Sequence, residues 1–282
     1  MTAPFASTEL AARIERAECD LVRACAESVA RRRGEDAIWL RPIGGGLAAF
    51  AGNDSPINKV AGLGFGEGID VAALAEVERE LAARGAAVQI ELSTLADPEI
   101  APMLCGRGYV LRGFENVLAC SLPAASTNRP GAAIVAASPD AEFETWIELV
   151  VDGFANPDVE GVPSHESFPR DVMTATLCDV AGAAGFRRYL ARLDGLPAGG
   201  ASMSVRSGLA QMAGAATVPA RRRRGVQTAL LAARLLDAAA AGCDLAVVTT
   251  APGSKSQQNM QRHGFALLYA RAVLVKAPPA AP

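Results

Sequence analysis

From Thr8 to Arg33 the apolar residues Leu10, Ile14, Ala17, Leu21 and Cys25 recur at helical spacing, and Ser7 or Thr8 can cap the segment, so it reads as one long helix. Short apolar runs follow at Ala37–Ile43, Leu47–Ala51 and Val60–Phe65, separated by glycines and by Asn53-Asp54-Ser55-Pro56, as strands joined by turns require. The pattern then predicts a helix from Val71 to Arg84, a strand at Val88–Leu92, a short helix at Pro98–Gly106, and strands at Tyr109–Arg112 and Glu115–Cys120.

A second series begins with a strand at Ala133–Ala137. Asp140 caps a helix carrying Phe143, Trp146, Ile147, Val150 and Phe154, and a polar loop leads to a helix near Glu166–Cys178. Strands are predicted at Phe186–Leu193, Ala198–Val205 and Leu209–Val218, then a long helix at Gly225–Ala241 and a strand at Leu245–Thr250. A short helix at Ser256–His263 and strands at Phe265–Leu268 and Ala272–Lys276 complete the chain.

The two series share an order: three strands, a long helix, a strand, a short helix ending in glycine and an aromatic (Gly108-Tyr109 and Gly264-Phe265), and two strands. The aperiodic stretch from Pro123 to Gly131 is small, polar and turn-rich. The expected organisation is therefore a domain at 1–122, a linker at 123–131 and a second domain at 132–282.

Composition agrees with two packed domains, since half of the 282 residues are apolar. A net charge of −3 directs nothing toward nucleic acid or a membrane surface. No apolar run approaches the ~20 residues that span a bilayer, and the first residues lack a secretory pattern, so a cytoplasmic protein is expected. The six cysteines form no C-x-x-C pair and only two histidines accompany them, which predicts buried thiols in a reducing compartment and no metal site.

The segment that carries chemistry is Val218-Pro219-Ala220-Arg221-Arg222-Arg223-Arg224-Gly225-Val226-Gln227-Thr228. A strand ends, a basic loop closes on glycine, and a helix begins with Val226, Leu230 and Ala233 on one face. Helix-start amides lack intrahelical acceptors and sit at the positive end of the dipole; Gly225 admits close approach, and the arginines add full charges. A diphosphate fits such a site. A solvated charge run and a nucleic-acid patch are the alternatives, the second weakened by the absence of interleaved aromatics.

This segment resembles the acetyl-CoA motif of the GNAT acetyltransferase superfamily, Q/R-x-x-G-x-G/A, with Arg222, Gly225 and Gln227 at its defined positions and Gln227 departing from Gly or Ala. The later Ser256–Phe265 stretch resembles the family's second cofactor segment, a short helix ending in Gly-Phe. The resemblance implies a mixed α/β (α+β) fold with two GNAT-like domains in tandem, each a mostly antiparallel sheet flanked by helices, the N-terminal one degenerate. It further implies that acetyl-CoA serves as acyl donor. Ala216, Thr217 and Val218 would pair with the pantetheine arm, Arg223, Arg224, Gly225, Val226, Gln227 and Thr228 would hold the pyrophosphate, and Asn259 would reach the arm.

The implied activity is N-acyl transfer, acetyl in the first instance, to an amine of a small molecule or peptide; the alternative is a non-catalytic acyl-CoA-binding module. Many family members carry a tyrosine where this chain has Met260, and that side chain cannot protonate a departing thiolate. Asp158, Glu160, His165 and Glu166 lie on the expected acceptor side; His165 and Glu166 read first as a loop histidine and a first-turn helix acid, and second as candidates for the base. In the N-terminal half, Gly66-Glu67-Gly68-Ile69-Asp70 has glycines without a basic residue, and its acids would repel a pyrophosphate.

Overall fold

The computed structural model describes residues 3–66, 68–123, 133–156 and 168–278. Helix α1 spans Thr8–Arg33, and the Ser7 side chain caps it by accepting from Leu10 N. Strands β1 (Trp39–Ile43), β2 (Gly46–Phe50) and β3 (Lys59–Ala61) follow, then α2 (Val71–Ala83), β4 (Val88–Ser93), α3 (Ile100–Gly106) and β5 (Val110–Ser121). The second series is β6 (Ile134–Ala137), α4 (Phe143–Ala155), α5 (Arg170–Val180), β7 (Phe186–Leu193), β8 (Leu196–Arg206) and β9 (Leu209–Thr217). It ends with α6 (Val226–Ala240), β10 (Leu245–Thr250), α7 (Lys255–Arg262) and β11 (Ala266–Lys276). The mixed α/β class with mostly antiparallel sheets is as the sequence predicts.

Two compact units result. Of the described residues, the N-terminal unit comprises 5–117 and 268–278, and the C-terminal unit 118–156 and 168–267 with residues 3–4. In the N-terminal unit the strand order is β1-β2-β3-β4-β11-β5. β3 and β4 are parallel, while β11 runs antiparallel to β4 from Arg271↔Ser93 to Lys276↔Val88. Leu74, Val77 and Leu81 of α2 and Leu104 of α3 pack with Val60, Ile90 and Leu274 in one core. That core contains a residue from the far end of the chain.

This division differs from the expected domains 1–122 and 132–282. The C-terminal strand, assigned by sequence order to the second domain, belongs to the first. Its backbone completes the ladder of β4, and Leu274 fills the N-terminal core. The expected linker lies outside the described residues except for Pro123.

In the C-terminal unit the order is β6-β7-β8-β9-β10, followed by the end of β5. Two adjacent glycines in β8 show how both sheet faces are covered. A Cβ on Gly199 would meet Val226 and Leu230 of α6, and one on Gly200 would meet Trp146 and Val150 of α4. Successive strand residues point to opposite faces, so α6 and α4 sandwich the sheet. Trp146 is fully buried, donates its indole N–H to Ala201 O at 3.1 Å, and meets Phe186 edge-on.

β5 and β11 are each continuous where two strands are predicted. Arg271 falls in the gap between the two strands predicted for β11, but in the structure it and Glu115 of β5 lie among buried charged partners of α1, β3 and β4. β3 is shorter than predicted, because Gly62 and Gly64 take positive φ and turn the chain out of the sheet.

Candidate functional site

The site is built where β9 parts from β10. The two strands pair in parallel from Leu209↔Leu245 to Met212↔Val248, and β9 then continues to Thr217 on β8 alone. Gly214, at φ +56°, and a register shift opposite Gly200–Ser202 bend the strand at this point. The result is a splay between two parallel strands in which the β9 backbone from Ala213 onward no longer has β10 as a partner.

Two features fix the splay. Gly153 of α4 packs so closely on β9 that a Cβ there would lie 2.2 Å from Ala216 Cβ. Arg234 of α6 is buried on the other side and donates from Nη1 to Ser202 O (3.1 Å) and Ala213 O (3.4 Å), the paired residues that border the irregularity. Burial lowers its guanidinium to about 10, so it stays charged at neutral pH. The hydroxyls of Thr217 and Thr250 are buried without a hydrogen-bond partner among the described residues.

Past Thr217, Val218 N donates to Ala198 O at 3.0 Å and a short 3₁₀ turn covers Pro219–Arg221. Arg223 (φ +61°) and Gly225 (φ +79°) are both left-handed and exposed, and α6 starts at Val226. Gly225 offers no side-chain cap, and the first bond back to the loop is Ala229 N to Gly225 O at 3.0 Å. The amides of Val226, Gln227 and Thr228 therefore face outward at the positive helix end.

The four arginines divide their work. Arg221 donates to Leu193 O at 3.0 Å, and Arg222 donates to Thr217 O at 3.3 Å and to Asn156 O. Those two hold the loop to the body. Arg224 pairs with Asp194 at 2.9 Å, both exposed, and such a pair is worth about 0–1 kcal/mol. Arg223 forms no ion pair among the described residues. Arg223 and Arg224 are thus the two whose charges an incoming anion can use.

Of the residues singled out in the sequence, the structure brings Ala216, Thr217, Val218, Arg223, Arg224, Gly225, Val226, Gln227 and Thr228 into one continuous strand–loop–helix start. Asn259 lies apart on α7, half-buried, its carbonyl held by His263 Nδ1 at 2.7 Å. That helix begins with a reciprocal cap: Ser254 Oγ accepts from Gln257 N, and Gln257 Oε1 accepts from Gly253 N. Met260 is buried in the core shared with Val226, Leu230, Val248 and Phe265, so position 260 is a packing position. Asp158, Glu160, His165 and Glu166 lie outside the described residues. Arg234 and Gly153 escaped the sequence reading; a charged residue on an apolar helix face was the available signal for Arg234.

The equivalent place in the N-terminal unit is closed. Asp70 Oδ1 accepts from Ala72 N at 2.9 Å, so the start of α2 already carries a carboxylate. Gly64 O accepts from Asp97 N, and a Cβ on Gly64 would lie within 3 Å of Ala96, Asp97 and Ile100. The chain after β4 thus packs over the end of β3. Among the described residues no group of His, Cys, Asp and Glu could hold a metal ion, and no helix is long and apolar enough to cross a membrane.

No family model matches the chain, and no curated protein does. Solved structures do. A GCN5-related N-acetyltransferase from Kribbella flavida is 19% identical with a TM-score of 0.63, over 92% of this chain and 96% of that one. A tandem GNAT protein from the clavulanic acid biosynthesis pathway is 14% identical with a TM-score of 0.61, over 92% of this chain and 89% of that one. A GCN5-related N-acetyltransferase from Sphaerobacter thermophilus is 14% identical with a TM-score of 0.55, over 82% and 72%. The fold of this chain is the GNAT fold, in tandem.

Proposed function

We propose that the chain is an N-acyltransferase that moves an acetyl group from acetyl-CoA to an amine of a small molecule or peptide, using one site in its C-terminal unit. The observation that carries this reading is the join of the β9–β10 splay to an uncapped helix start bearing Arg223 and Arg224. A donor with a diphosphate at one end and an extended amide arm at the other matches both parts. Val226, Gln227 and Thr228 amides with the two arginines take the diphosphate, and the β9 edge at Ala216, Thr217 and Val218 takes the arm. In the reaction the amine nitrogen bonds to the thioester carbon, the C–S bond breaks, and the amine proton leaves to a base.

A second reading, an acyl-CoA-binding module without efficient chemistry, is supported by Met260: the position where the resembled family often carries a tyrosine holds a buried side chain with no proton to give. Calorimetry with acetyl-CoA is expected to give one site per chain, and thiol release with a panel of amines separates enzyme from binder. No binding would sink both readings.

Met260→Tyr supplies the missing hydroxyl. It is expected to leave turnover unchanged or to raise it, by up to the roughly 10²–10⁴-fold of a positioned general acid. Lost turnover with retained binding would show that another group protonates the thiolate. Because Met260 is core, the variant's melting must be recorded alongside.

A further inference from the structure

The N-terminal unit holds a second assembly of ionisable groups, remote in kind from any anion site. Tyr269 and Arg271 of β11 both donate to Glu15 Oε1 of α1, at 2.7 and 2.8 Å, across sequence separations of 254 and 256 residues. Arg271 also meets Glu91 of β4 at 3.5 Å and reaches Glu18 of α1 and Glu115 of β5 at 4.0 Å each. Lys59 of β3 completes the set, 2.9 Å from Glu18 and 3.1 Å from Glu91. Five elements therefore converge on it: α1 with Glu15 and Glu18, β3 with Lys59, β4 with Glu91, β5 with Glu115, and β11 with Tyr269 and Arg271.

Among the described residues these contacts gather four carboxylates around two cations, and Glu15, Glu91 and Arg271 are each under 4% exposed. A buried net negative charge is costly, and taking up a proton relieves it. We propose that this cluster is a proton-operated clasp on the C-terminal strand: with one of its carboxyls protonated it holds β11 to α1, and loss of that proton loosens the strand from the N-terminal unit.

Glu115 is the carboxyl placed to carry the proton. Burial, and then the charge of Glu91, push it up to about 7, against the pull of Lys59 and Arg271. Burial raises Glu15 as well, but Arg271 and Tyr269 oppose that rise with direct hydrogen bonds. A folded value above the ordinary 4.5 means that stability is fully present below the ordinary value and is lost as pH rises through about 7. The unit is therefore expected to weaken on passing from mild acid to mild alkali.

Melting of the full chain from about pH 5 to about pH 8 tests this against Glu115→Gln, which fixes a neutral group of the same shape. The two proteins are expected to melt together near pH 5, and the variant about 3–8 °C higher near pH 8. Hydrogen exchange at the β11 amides, corrected for its intrinsic pH dependence, is expected to speed up about tenfold in the wild type only. Parallel melting profiles would overturn the clasp. Should the variant not fold, carboxyl NMR titration of the wild type decides: a glutamate titrating above about 6 supports it, and none above about 6 overturns it.

Discussion

Gly225→Glu is expected to abolish acetyl-CoA binding, with affinity down by at least about 100-fold, or ~2.7 kcal/mol. The residue is exposed and a Cβ there meets nothing within 4 Å, so a side chain can be added without a clash inside the unit. What changes is local. A left-handed backbone at φ +79° disfavours any Cβ by roughly 1–2 kcal/mol, and a carboxylate now occupies the positive helix end. It would pair with Arg223 or Arg224 and compete with the diphosphate for the same charges. Gly225→Asn is the control, because asparagine tolerates the left-handed region and adds no charge; it is expected to keep most of the affinity. If the glutamate variant folds and binds acetyl-CoA as the wild type does, the arginine run is a solvated face and the site lies elsewhere.

Arg271→Met is expected to destabilise the N-terminal unit by about 3–5 kcal/mol, the cost of breaking a buried ion pair from one side. Arg271 is 2% exposed and is the shared cation of Glu15, Glu18, Glu91 and Glu115, so its loss removes one of the two cations that the described residues set against these carboxylates. Against a total stability of about 5–15 kcal/mol this is a large fraction, and the melting midpoint is expected to fall by about 10 °C or more. Glu15→Met added to Arg271→Met should restore part of the loss, because one stranded charge leaves with it. A single variant that loses less than about 1 kcal/mol would show that β11 is held by its ladder with β4 and by Leu274, and that the ion pairs add little.

Most elements were legible in the chain because their signals are local. The spacing of Leu10, Ile14, Ala17, Leu21 and Cys25 and the cap at Ser7 define α1 to the residue. The strand end, the basic run and Gly225 before Val226 define the loop at the start of α6, since each depends on a backbone preference or a charge that the sequence spells out. The contact of Gly153 with Ala216 was not legible, because a small residue in a helix has no visible partner until the sheet is laid against it.

Sequence by itself determined the kinds of element, their repeated order, the tandem GNAT-type architecture and the place of the basic loop. Periodicity, caps and turns act over a few residues, and the pattern records them directly. Tertiary structure alone decided that β11 joins the N-terminal unit, that Arg221 and Arg222 brace the loop while Arg223 and Arg224 stay available, and that Met260 is core. Each of those depends on which distant carbonyl, carboxylate or apolar surface a side chain meets, and such pairing is fixed only when the sheets form and bury the groups together.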